Sequence, residues 1–130
     1  MTNEEMGAEG ASVDKLTGAI IRCITKVHKT LGPGYPESVY RNALVHELTL
    51  TGLKAEPEKE LVISYEGQAV GRHKLDVVVD DLVILKLMTV EALGPVHYAQ
   101  MRSYLRAAGL QVGLMINFAL DRPDFRRVEL

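Results

Sequence analysis

Asp76 lies on the first arm of an apolar hairpin pattern running from Lys74 to Met88, and Lys86-Leu87-Met88 closes the second arm. Successive side chains of a strand alternate between faces, so positions 86 and 88 share one face. An acid on one strand facing two residues spaced i, i+2 on the next is how a metal-dependent nuclease holds its cation and its lysine. Mg²⁺ is a hard cation that takes carboxylate and water oxygens, while a neighbouring lysine positions or activates the attacking water. Here the two positions carry a lysine and a methionine. An ammonium at 86 repels the cation that an acid would bind, and it is expected to form an ion pair with Asp76 instead. A thioether at 88 neither donates a proton nor stabilises a developing phosphorane charge, so Met88 reads as core packing.

These residues need a frame, and the hydrophobic periodicity supplies one. Behind a Ser12 cap, Leu16, Ile20, Cys23, Ile24 and Val27 recur at helical spacing until Gly32-Pro33-Gly34 stops the helix. Pro36 suits the first turn of a second helix, which carries Val39, Tyr40, Ala43, Leu44 and Leu48 to Thr51-Gly52. The pattern then changes to strands over Glu60 to Tyr65 and Gln68 to Val79, joined at Glu66-Gly67, and over Leu82 to Met88 after an Asp80-Asp81 turn. Gly94-Pro95 opens a third helix that Gly109 closes, and Gln111 to Phe118 reads as a strand. The crossover through that helix implies that this strand runs parallel to an earlier one. Beyond Asp121-Arg122-Pro123-Asp124 a short tail or edge strand is expected.

At 130 residues, 47% of them apolar and 25% charged, one globular domain is expected, with a disordered tail over residues 1–11 and the domain over 12–130. A net charge of -2 gives no global field for attracting nucleic acid. Cys23 is the only cysteine, which excludes an internal disulfide and a multi-cysteine zinc site. His28, His46, His73 and His97 lack metal-ligand spacing. The acidic N-terminus has no apolar core, and the longest apolar runs fall far short of the roughly 20 residues a membrane helix needs, so a cytoplasmic location without membrane contact is expected.

Gly34-Tyr35-Pro36-Glu37-Ser38-Val39-Tyr40 fits a Gly-x-x-Glu-x-x-Tyr pattern at the entry of the second helix. Val27-His28 and Leu31-Gly32-Pro33-Gly34 precede it. Pro95-Val96-His97, Ala99-Gln100, Tyr104-Leu105 and Val112-Gly113-Leu114 with Ile116-Asn117-Phe118 follow in order. Over Leu16 to Phe118 the chain resembles the GxxExxY family of the PD-(D/E)xK nuclease superfamily. That resemblance implies a restriction-endonuclease-like α/β fold, an αβββαβ core with a mixed central sheet flanked by helices. It also implies that Glu37, Asp76, Lys86 and Met88 stand at the active-site positions, with Gln100 and Tyr104 flanking them, and that the Glu-x-Lys pair has become Lys86-Leu87-Met88.

The expected function is therefore a nuclease frame without catalysis, a pseudoenzyme acting as a binding or interaction module. The alternative is a Mg-dependent DNA or RNA phosphodiesterase with a rearranged site. No cofactor is expected in the first case. In the second, Mg or Mn would sit on Glu37 and Asp76. Nucleic acid, a second copy of the chain and another protein are the candidate partners.

Overall fold

The computed structural model describes the backbone of residues 3–130 and the side chains from Val13 onward. Helices α1 (Asn3–Leu31) and α2 (Glu37–Leu50) precede strands β1 (Ala55–Tyr65), β2 (Gln68–Val79) and β3 (Val83–Met88). Helix α3 (Pro95–Ala108) then leads to β4 (Val112–Asn117) and β5 (Asp124–Glu129). One sheet carries the order β1-β2-β3-β4-β5. Only β3 and β4 run parallel, as the helical crossover requires, so the sheet is mixed. The α/β class and the αβββαβ order expected from sequence are those of the structure.

Two boundaries differ by several residues from the sequence reading. Helix α1 begins at Asn3, ahead of the Ser12 cap. Glu4, Glu5, Ala8 and Glu9 are good helix formers, and acids near a helix N-terminus favour the macrodipole. The expected tail over 1–11 falls on the stretch whose side chains lie outside the described residues. Strand β1 begins at Ala55 rather than Glu60, because Pro57 sits on a sheet edge, where a missing N–H costs no ladder bond. The segment after Asp124 is an edge strand paired antiparallel to β4.

Both faces of β3 and β4 are covered, which explains their almost unbroken apolar sequences. On one face Leu16, Ile20, Ile24 and Val27 of α1 and Tyr40, Leu44 and Leu48 of α2 pack on Val77, Leu85, Leu87, Leu114 and Ile116. On the other, Met101, Tyr104 and Leu105 of α3 pack on Leu75, Val78, Ile84, Met88 and Met115. The connection between α1 and α2 is held by Tyr40. Its hydroxyl donates to the Gly32 carbonyl at 2.5 Å and accepts from the Tyr35 N–H at 3.2 Å. Its ring stacks on Phe118 at 4.3 Å between centroids, and Phe118 in turn stacks on His28. Gly34 sits in this turn at φ 112, a conformation that a side chain would strain.

The Asp80-Asp81 turn has both residues at positive φ and a Leu82 N–H to Val79 carbonyl bond of 3.0 Å, the geometry that matches strand twist in a tight hairpin. The Asp81 carboxylate lies 2.8 Å from Lys59 and 3.1 Å from Lys54. Lys59 first and then Lys54 hold its pKa down at about 2, against an ordinary 3.8. A carboxyl with a depressed folded pKa stabilises the protein above the unfolded value and loses that contribution as pH falls through the folded one. The melting-temperature difference between the wild type and Asp81→Asn is thus expected to be present at pH 5 and to vanish by about pH 2. Because the groups are exposed, the difference is expected to shrink in high salt.

Candidate nuclease-like site

Asp76 occupies a break in the sheet. Leu75 packs on the α3 side and Val77 on the α1/α2 side, although residues two apart on a regular strand share a face. The change of facing coincides with a missing pair. β1 and β2 are in register through Pro57↔Val77 and again from Lys59↔Leu75, leaving Glu58 and Asp76 unmatched. Glu58 takes φ 52 there, and the ladder to β3 begins only at Val77. Asp76 replaces the lost ladder acceptor with its own side chain, since its Oδ2 accepts the Leu87 N–H at 2.7 Å.

Lys86 and Met88 follow the strand alternation onto the α3 face, but the expected Asp76–Lys86 ion pair is not formed. The Lys86 ammonium instead lies 5.7 Å from the centroid of the Tyr104 ring, within cation–π range. The Asp76 carboxylate takes the Leu87 N–H, and the Lys86 ammonium takes the face of the Tyr104 ring. Met88 is buried among the α3-side residues, in line with a packing role. Tyr104 is itself held by His73, whose ring stacks on it at 4.5 Å and 18°. Burial, and secondarily the Asp76 charge, push the Tyr104 phenol above its ordinary pKa, so it remains a hydrogen-bond donor.

His73, Asp76, Lys86 and Tyr104 line one cleft with Leu75, Ile84 and Leu85, and its free volume of about 10 Å³ has room for roughly one water. His73 is the residue that sequence reasoning passed over. Metal-ligand spacing was the wrong signal for it, whereas its place three residues before Asp76 on the same strand could have raised it. Gln100 is exposed one turn before Tyr104. Glu37 is exposed in the first turn of α2, on the opposite layer, and makes no hydrogen bond or ion pair among the described residues. Of the Gly-x-x-Glu-x-x-Tyr pattern, Gly34 and Tyr40 hold the turn between the helices, and Glu37 complements the macrodipole in the first turn of α2.

A sequence model of the PD-(D/E)XK nuclease superfamily matches residues 14–128. The chain belongs to that superfamily. A solved structure, that of SSO0001, is similar to this PD-(D/E)XK domain with a TM-score of 0.53 at 17% identity, over 71% of this chain and 48% of that one. The chain thus spans about half the length of SSO0001, and the likeness supports the fold alone. No curated protein is similar enough to match this chain.

A PD-(D/E)XK nuclease implies a divalent metal, and the donors present here do not fit one. Among the described residues no group of three or more His, Cys, Asp and Glu side chains converges on one point. One Asp76 oxygen is committed to a backbone N–H, and a cation stands at position 86 where a second carboxylate would be needed. What the cleft offers is an ammonium, a phenol and an imidazole ring around a single acid. That set suits an anionic oxygen better than a hydrated cation.

Proposed function

We propose that this domain is a catalytically silent PD-(D/E)XK member of the GxxExxY kind that binds nucleic acid through its phosphates without cleaving it. The observation that carries the reading is the Lys86 ammonium, which sits in the cleft against Tyr104 rather than in an ion pair. A cation held by a ring face keeps its N–H donors for a phosphate oxygen, while a metal ion would meet its repulsion. The superfamily match supports nucleic acid as the anionic partner.

Fluorescence anisotropy on labelled single-stranded DNA, duplex DNA and RNA tests this. Binding is expected on at least one of them, to weaken as salt rises, and to be indifferent to chelator. Lys86→Ala is expected to fold normally and to reduce the logarithmic salt slope by about 1, the signature of one lost phosphate contact. Mg²⁺- or Mn²⁺-dependent cleavage that disappears in Asp76→Ala would refute the reading in favour of a rearranged phosphodiesterase.

A further inference from the structure

The two halves of edge strand β1 are built differently. Its first half carries Pro57, Glu58 at φ 52, Lys59 and Glu60. Proline, a local kink and charges are the devices that keep a sheet edge from pairing with another chain. Its second half, Leu61-Val62-Ile63-Ser64-Tyr65, carries no proline and no charge, its one irregularity being the register shift against β2 between Ile63 and Ser64, and Val62, Ile63 and Tyr65 are 41%, 36% and 67% exposed. The ribbon is also unsupported from the other side. β3 pairs only with Val77, Val78 and Val79 of β2, so the hairpin from Leu61 to Leu75 has no third strand. Two-stranded ribbons are marginal in water unless a further strand or a packed face completes them.

Beside this bare edge lies an open groove of about 400 Å³ between the hairpin and the end of α3, with Leu61, Leu75, Val78, Ala108 and Leu110 in its wall and Lys59 and Asp81 at its rim. Lys59, Leu61, Ile63 and Tyr65 alternate onto the groove side, because Lys59 and Leu61 lie opposite Leu75 and His73, which face α3. An exposed apolar strand and an apolar groove on one edge are self-complementary under a two-fold axis.

We propose that β1 pairs antiparallel with β1 of a second copy of this chain, about an axis through Val62, to make a ten-stranded continuous sheet. In this register Leu61 meets the partner's Ile63, and Tyr65 of each copy falls beside Lys59 of the other and enters its groove. An axis through Ile63 would instead set Tyr65 opposite Leu61, away from Lys59 at the groove rim. The pairing supplies the missing strand for both hairpins and covers both apolar edges, and it stands independently of the nucleic-acid reading.

Analytical ultracentrifugation of the full chain between about 5 and 500 μM is the test. A concentration-dependent dimer is expected. Val62→Lys opposes two ammoniums at the axis and is expected to raise the dimer Kd by about tenfold or more with unchanged far-UV circular dichroism. Tyr65→Ala should weaken the dimer without adding charge, and Leu50→Lys, at an exposed apolar site on α2, should leave it intact. Oxidised Val62→Cys is expected to cross-link covalently, since directly opposed residues lie within disulfide reach. The wild type has only buried Cys23 and should not. A wild type that stays monomeric throughout, or a dimer that Val62→Lys and Tyr65→Ala leave unchanged, would overturn the proposal.

Discussion

The double variant Lys86→Glu/Met88→Lys is expected to acquire Mg²⁺- or Mn²⁺-dependent cleavage of nucleic acid at least about 10²-fold above the wild type. Positions 86 and 88 already share the α3 face with the cleft, so the exchange places a carboxylate beside Asp76 and an ammonium two residues on. The site then has two hard oxygen donors, where the wild type has an acid and a repelling cation. Two costs attend the change. Lys86 leaves the Tyr104 ring, and a lysine enters at the buried position 88, so the variant is expected to lose about 1 to 3 kcal/mol of stability. Chemical denaturation separates that loss from the activity. Adding Asp76→Ala to the double variant should abolish the gained cleavage. A folded double variant that neither binds Mn²⁺ nor cleaves would mean that Asp76, tied to the Leu87 N–H, does not serve as a ligand even with a second carboxylate beside it.

Tyr40→Ala is expected to destabilise the domain by about 4 kcal/mol and to lower its melting temperature by about 15 °C. Tyr40 is 0% exposed, its ring stacks on Phe118, and its hydroxyl serves two backbone groups of the connection between α1 and α2. Removing it opens a cavity between α2 and β4 and strands the Gly32 carbonyl and the Tyr35 N–H. Against a typical total of roughly 5 to 15 kcal/mol, that loss is a large share. Tyr40→Phe keeps the ring and should cost only about 1 to 2 kcal/mol. If the two variants were equally unstable, the hydroxyl rather than the ring would be the important part. Equal and negligible losses would mean that the connection between the helices carries little of the stability.

The family resemblance offered Glu37 to the site, and helical periodicity gave Tyr40 a place on the apolar stripe of α2. In three dimensions the tyrosine is a clamp on the preceding turn and the glutamate is exposed on the far layer. Asn117 shows the same limit. It is wholly buried, donates to the Val90 carbonyl and accepts from the Val90 and Ala119 N–H groups, and so ties the chain beyond β3 to the end of β4. Val90 is 27 residues away in sequence, and a polar residue ending an apolar strand does not announce it.

Element order, the tight turns and the parallel crossover were legible in the sequence, because they rest on short-range physics. Helical spacing of Leu16 to Val27, the Gly32-Pro33-Gly34 stop, the positive-φ turns at 66–67 and 80–81, and the glycine that ends α3 act within a few residues of themselves. That positions 86 and 88 hold a lysine and a methionine, where the family resemblance implies a Glu-x-Lys pair, concerns residue types and was equally plain. Tertiary structure alone decided which partners these residues take. The unmatched Glu58 and Asp76 break the ladder, the break turns the Asp76 oxygen to the Leu87 N–H, and the α3 packing brings Tyr104 under Lys86 and against His73. Those contacts depend on register between strands and on the seating of a helix, and neither is encoded in the local alternation of apolar and polar residues.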